Sequence, residues 1–301
     1  MIKVKELVKK YGDFIALKGI SFEANPDKIT ALLGPNGAGK TTTLRILSGY
    51  LSYDSGDIYF FDKKFDGSKD FRKMIGYIPE NNPIYEDMEV TEYLKFIAKT
   101  YGLSKSSVEM AIESCSLKEV IGKNIGLLSK GYRQRVSLAK AIMPDPKILL
   151  LDEPTTGLDP NQAAQTRELI KKLKKDKIII ISTHILAEVE YLCDDIIIIN
   201  KGSIGVTGTK QDIIKKFSSN SYLIKIEGKE EINFQDIGKI KNIEYLYDEV
   251  LNETTIKLTF EEEKDFRKDI IEKINKNRLS LLEISKQSIT LDKVFSQITG
   301  E

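Results

Sequence analysis

One stretch constrains the fold of this chain more than any other: "KITALLGPNGAGKTTTLRIL", from Lys28 to Leu47. Within it, "GPNGAGKT" matches G-x-x-x-x-G-K-[ST] at every fixed position. The apolar "ITALL" ahead of the motif has strand character and "TTTLRIL" behind it has helix character, the context such a loop needs. Consecutive backbone N–H groups from Gly37 to Thr41, together with the positive end of the helix, suit them to wrap the phosphates of a nucleotide. The cradle is expected to consist of Asn36, Gly37, Ala38, Gly39, Lys40, Thr41 and Thr42. Lys40 adds a point charge toward the β and γ oxygens, Thr41 a hydroxyl for Mg²⁺, and Thr42 faces the α-phosphate.

A phosphate cradle needs catalytic partners, and two further segments offer them. "PKILLLDEP" reads as a buried strand ending in Asp152 and Glu153. Asp152 fits the Mg²⁺ carboxylate of such sites, and Glu153 the base that polarises the attacking water. His184, the chain's single histidine, follows "IIIIST". Ligands of open α/β sheets bind beyond the carboxyl ends of the strands, so His184 is expected to bond the γ-phosphate or the water.

The runs "IIII" at 178–181 and 196–199 are short, β-branched and bounded by polar residues. They read as parallel strands buried on both faces. With helical patterns between the strands, this gives a wound α/β core. Residues of about 84–143 read mainly as helix and form an inserted helical block. After residue 217 the texture shifts to "SYLIKIEG", "IEYLYDEV", "TIKLTF" and "SLLEISKQ" as strands, with "EEKDFRKDIIEKINK" as an amphipathic helix. A short helix around "FQDIGKI" completes a β-α-β-β-α-β order, so a small ferredoxin-like domain is expected over 218–301, beside a nucleotide-binding domain over 1–217.

The 46 Lys plus Arg balance 45 Asp plus Glu, which gives no bulk pull toward nucleic acid or an anionic membrane. The start, "MIKVKELVKKYG", lacks the apolar block of a signal peptide. No run approaches the roughly 18 apolar residues that span a bilayer. Cys115 and Cys193 have no metal-ligand neighbours and read as buried small hydrophobes suited to a reducing cytosol.

Taken in order, these motifs resemble the nucleotide-binding subunit of an ATP-binding cassette (ABC) transporter over most of residues 1–217. The resemblance implies a P-loop ATPase core with a mixed sheet, flanking helices and a helical subdomain. It further implies that Tyr11 stacks on adenine, that Asp159 in "TTGLDP" touches a partner subunit, and that His184 is a switch histidine. "LSKGYRQRV" stands where the family has its signature LSGGQ-x-x-R. Ser129 and Gly131 match, while Lys130 and Tyr132 replace a glycine and the glutamine. In "IGYIPENNPIY" Glu80 replaces a glutamine that ligates Mg²⁺, and either side chain can bind a hard cation. Bacterial exporter and gliding-motility ATPases often carry this Pro-Glu form, and "SITLDKVFSQITG" resembles the closing segment of exporter ATPases.

The family places each ATP between the P-loop of one cassette and the signature of another. A homodimer or a cassette heterodimer around ATP and Mg²⁺ is therefore implied, driving a separately encoded membrane permease from the cytoplasmic face of the membrane, with export favoured. The competing reading, a soluble ABC-type ATPase acting on nucleic acid or ribosomes, calls for long heptad insertions or two cassettes in one chain. Neither is present, and no nucleic-acid partner is expected.

Overall fold

The computed structural model describes residues 1–287 and 289–300. The chain begins with strands β1 (Ile2–Tyr11), β2 (Phe14–Ala24) and β3 (Lys28–Leu33), then helix α1 (Lys40–Leu47) and strands β4 (Ser55–Phe60) and β5 (Lys63–Lys64). Helix α2 (Lys69–Lys73) and strand β6 (Ile75–Ile78) lead to the helices α3 (Val90–Tyr101), α4 (Lys105–Ser114) and α5 (Lys130–Ile142). There follow β7 (Ile148–Asp152), α6 (Pro160–Lys172), β8 (Ile178–Thr183), α7 (Leu186–Leu192), β9 (Asp195–Asn200), β10 (Ser203–Gly208) and α8 (Lys210–Phe217). The remainder holds β11 (Asn220–Glu227), β12 (Ile240–Asp248), β13 (Glu253–Phe260), α9 (Arg267–Lys276), β14 (Leu281–Gln287) and α10 (Leu291–Thr299). Two compact units result, one of Met1–Ile213 with the chain from Phe295 onward, the other of Ile214–Val294.

In the first unit an antiparallel sheet of order β2-β1-β4-β5 faces a six-stranded sheet of order β10-β9-β3-β8-β7-β6. Every pairing from β9 to β6 is parallel, and β10 runs antiparallel along β9. Residues of β7 and β8 are buried throughout, as the apolar runs 148–151 and 178–181 require, and the polar ends Asp152, Ser182 and Thr183 are buried with them. Ile178 and Ile180 join Ile148, Leu150 and Leu32 in the core shared with Ile2, Val4 and Leu17 of the antiparallel sheet. Ile179 and Ile181 are equally buried but stand outside that cluster, because successive side chains of a strand point to opposite faces. Each such burial contributes about 1.5–3 kcal/mol.

This order positions the site. β3, β8 and β7 are adjacent, with Leu33 beside Thr183 and Asp152 beside Ser182. The loop after β3, the acid pair after β7 and the histidine after β8 therefore emerge side by side at one carboxyl edge. Helices α3, α4 and α5 occupy the segment where a helical block was expected.

The second unit carries an antiparallel sheet of order β12-β13-β11-β14, the strand order of a split β-α-β sandwich. One expected element is missing: "FQDIGKI" forms turns, not a helix. Ile232 and Phe234, two residues apart, are both buried in the core of this unit. That is the spacing of extended chain, so the first crossover reaches its core without a helical turn. Helix α9 covers the sheet with Ile270 and Ile274, one turn apart. Among the described residues, no helix is long and apolar enough to cross a membrane.

Candidate nucleotide site

The loop between β3 and α1 is shaped by its glycines. Gly37 and Gly39 adopt φ of 77° and 110°, where a side chain would be strained. A Cβ on Gly34 would stand 2.1 Å from the carbonyl oxygen of Ile199, so the backbone of β9 closes directly on the loop. Lys40 is buried, and its Nζ donates to the carbonyls of Gly34 (2.7 Å) and Pro35 (3.1 Å). The ammonium thus folds back over the curl of the loop. Asn36 and Gly37 at its tip are exposed, Ala38 is buried, and Thr42 is half-buried in the first turn of α1.

Thr41 Oγ1 donates to Asp152 Oδ1 at 3.0 Å, and Ser182 Oγ donates to the same oxygen at 2.5 Å. Asp152 Oδ2 is buried with no hydrogen-bond partner among the described residues. Burial pushes the Asp152 carboxyl above its ordinary range, the two hydroxyls oppose that, and the charges of Glu80 and Glu153 add to it. An orphaned carboxylate oxygen beside a P-loop threonine is a donor set fitted to a hard divalent cation. Among the described residues no group of three or more His, Cys, Asp or Glu could hold a metal alone. This pattern fits Mg²⁺, which takes few protein carboxylates and completes its shell with water and phosphate.

Glu153 takes φ of 49°, a left-handed conformation unusual for a glutamate. Its N–H donates to Ser182 Oγ (3.0 Å) and to the Ser182 carbonyl (3.2 Å), which fixes the turn. The carboxylate is 7 % exposed and reaches Lys40 Nζ at 3.5 Å. Thr156 Oγ1 donates to Glu153 Oε2 (2.8 Å), and His184 Nδ1 lies 3.1 and 3.0 Å from the two carboxylate oxygens. Strain in a residue so firmly held is a feature of functional sites.

Glu80 follows β6 and is exposed; with Glu153, Thr156, Lys130 and Arg133 it lines a cavity of about 450 Å³. The structure thus brings together Lys40, Thr41, Asp152, Glu153 and His184, with Glu80 across the cavity. Ser129 and Asp159 serve a second cluster. Ser129 caps α5 and accepts from Tyr132 N, while Asp159 caps α6 and accepts from Gln162 N at 2.9 Å. Gln162 Nε2 donates to Ser129 Oγ at 3.4 Å, and Gln162 fills the space beside the buried Gly131, where a Cβ would meet it at 2.7 Å. Among the described residues no hydrogen bond or ion pair joins Ser129 to the P-loop cluster. Tyr11 ends β1, is 48 % exposed, and has Lys9 Nζ 5.4 Å from its ring centroid.

Sequence reading missed Ser182 and Thr156, the hydroxyls that hold Asp152 and Glu153. The strand register, which pairs Ser182 with Asp152, is the signal that reveals the first.

A phosphate loop, an acid pair and a histidine converging at the carboxyl edge of a parallel sheet define a P-loop nucleoside triphosphatase. Comparison with known proteins narrows this. The family model described as ABC transporter matches residues 17–156. The uncharacterized ABC transporter ATP-binding protein YxlF of Bacillus subtilis (strain 168) is 38 % identical over 77 % of this chain and 78 % of its own. The linearmycin resistance ATP-binding protein LnrL of the same organism is 30 % identical over 100 % of this chain and 98 % of its own. A solved structure of an ATP-binding subunit of an ABC transporter superposes with a TM-score of 0.65 at 31 % identity, covering 72 % of this chain and 93 % of that one. The chain belongs to the ABC transporter family, as an ATP-binding subunit.

Proposed function

We propose that this subunit hydrolyses ATP between two cassettes and thereby drives a separately encoded membrane permease, most consistently an exporter. The observation that carries this reading is the convergence of Lys40, Glu153 and His184, while Ser129 and Gly131 are held in a different cluster. One chain then supplies the phosphate cradle and the base, and a partner supplies the hydroxyl and N–H that close the γ-phosphate from the other side. The pairing is a homodimer or a cassette heterodimer. The likeness to a resistance ATP-binding protein over the whole chain supports export, and a permease partner places the subunit at the cytoplasmic face of a membrane.

Thr41 and Asp152 would hold Mg²⁺, with Glu80 at the far side of the cavity. The cation, when bound, neutralises charge building on the transferred phosphoryl group. The P-loop N–H groups receive the α and β oxygens, and Tyr11 offers its exposed ring to the adenine. Lys40, now turned onto its own loop and Glu153, turns to the β and γ oxygens as phosphate arrives. That releases one oxygen of Glu153 to take a proton from the attacking water. His184, whose Nδ1 faces Glu153, has Nε2 left for the γ-phosphate or the water. Asp159, at the start of α6, contacts the partner cassette. ATP holds the two cassettes together, hydrolysis separates them, and the alternation moves the permease between states.

The test is the Glu153→Gln variant, which keeps the shape and one acceptor oxygen but removes the base. Light scattering should show an ATP-dependent dimer while phosphate release falls by roughly 10²–10⁴-fold. Hydrolysis near the wild-type rate removes Glu153 from the reaction, and a monomer at saturating ATP removes the two-cassette site.

A further inference from the structure

Glu188 is a buried carboxylate that the reaction above does not use. It lies in the first turn of α7 and is 3 % exposed, a costly placement for a charge unless something there needs an acceptor. Among the described residues its carboxylate receives one hydrogen bond, from Thr183 Oγ1 at 2.7 Å. Thr183 is the last residue of β8, fully buried, and paired in the sheet with Leu33. The same hydroxyl oxygen accepts the N–H of Ile185 at 3.0 Å. His184 therefore stands between two residues joined by one threonine hydroxyl.

A hydroxyl has a single proton to place. With the proton committed to Glu188, the lone pairs of Thr183 are turned toward the Ile185 N–H, and the peptides on both sides of His184 are fixed. Without an acceptor at 188 the hydroxyl proton is free to rotate, and the lone pairs are no longer held toward the Ile185 N–H. Burial raises the Glu188 carboxyl above its ordinary range, and the Thr183 hydroxyl and the charge of Arg167 of α6 oppose that rise; Arg167 Nε is itself buried with no hydrogen-bond partner among the described residues. The charge of Glu153 adds to that rise and the charge of His184 opposes it, each to a smaller degree.

We infer that Glu188 is a positioning residue for His184, acting through the Thr183 hydroxyl to hold the imidazole against Glu153 and aimed at the nucleotide. The inference rests on the reading of His184 as a group that meets the γ-phosphate or the attacking water. Glu188 orders that contact before nucleotide arrives, so its loss lowers turnover and leaves ATP binding intact.

The chain's single histidine makes the test direct, because a tag-free protein labelled at histidine gives imidazole NMR signals from His184 alone. The full chain is compared as wild type, Glu188→Ala, Glu188→Gln, Thr183→Val and His184→Ala. Glu188→Ala is expected to displace or broaden the His184 ring signals and to lower kcat at least about tenfold at unchanged KM for ATP, an effect within the range of a misplaced catalytic group. Glu188→Gln keeps an acceptor oxygen and is expected to retain both properties within about twofold, the range left by an intact neutral hydrogen bond. Thr183→Val removes the bridging hydroxyl in a β-compatible shape and should reproduce Glu188→Ala, which answers the case in which Glu188→Ala fails to fold. Unmoved ring signals and unchanged kcat in Thr183→Val overturn the inference, as does a Gln variant as impaired as the Ala variant. A His184→Ala protein with wild-type kcat, beside displaced ring signals in Glu188→Ala, overturns the role given to His184 and leaves the positioning intact.

Discussion

Glu153 Oε1 lies 3.5 Å from Lys40 Nζ, and both side chains are almost wholly buried. The lysine that is suited to phosphate thus neutralises the acid that is suited to activate water, and phosphate competes for it. Lys40→Met should abolish tight ATP binding and also weaken the nucleotide-free fold, since Glu153 keeps only Thr156 and His184 as partners. A loss of about 1–3 kcal/mol is expected for a buried acceptor deprived of its charged partner. Calorimetry of Lys40→Met, Glu153→Gln and the double variant should show strong non-additivity. Additive melting shifts would mean that the pair contributes nothing.

Asp152 has its pKa raised by burial, and this fixes a sign. A carboxyl whose pKa is higher in the folded chain than in the unfolded one binds more protons when folded, so its stability contribution is lost as pH rises above the unfolded value of 3.8. Near neutral pH, the charged Asp152 therefore destabilises the nucleotide-free protein. Asp152→Asn should melt higher than wild type at about pH 7.5, and the gap should close as pH falls through about 4, where the unfolded carboxyl takes its proton. The same variant should lose Mg²⁺-dependent hydrolysis. Melting curves across pH check the first statement, and an Asn variant less stable at neutral pH would refute it.

The charge of Glu80 reaches Asp152 and raises its carboxyl further, while Glu80 itself lines the cavity shared with Glu153. Glu80→Gln removes that charge and keeps an oxygen donor. The Mg²⁺ concentration for half-maximal ATPase activity should shift by about threefold or more, the scale of under 1 kcal/mol in a cation contact. Superimposable Mg²⁺ titrations would return Glu80 to the status of a solvated surface acid.

Ser129 caps α5, and Gln162 rests on both Ser129 and Gly131. Ser129→Arg should cut ATP-driven dimerisation by about tenfold or more while leaving ATP affinity of the monomer within about twofold, as expected when a group binds only across an interface. Loss of the cap costs about 0.5–2 kcal/mol, so the melting temperature must be followed beside the light scattering. Equal loss of monomer affinity would show that Ser129 serves its own chain.

Much of the site was legible because its chemistry is local. Gly34 to Thr41 form one loop whose φ values and close contacts require glycine at fixed spacings, and Asp152 and Glu153 end an unbroken apolar strand. The "FQDIGKI" crossover was misread because its burial is decided by Phe260 and Phe266 across the unit, against which the backbone at Gly238 lies flush. Local pattern carries no record of that surface.

The sequence by itself determined the phosphate loop, the buried strands and the identities of the acids and the histidine, since each depends on residues within one short segment. Only the tertiary structure decided that Lys40 pairs with Glu153, that Ser182 and Thr156 hold the two acids, and that Thr183 and Glu188 brace the turn around His184. The Lys40–Glu153 and Ser182–Asp152 contacts arise from the order β3-β8-β7, which brings the loop after β3 beside an acid more than a hundred residues away, whereas the Thr156 and Thr183 contacts are made within the turns that follow β7 and β8. No spacing within a single segment encodes which strand its neighbour will be.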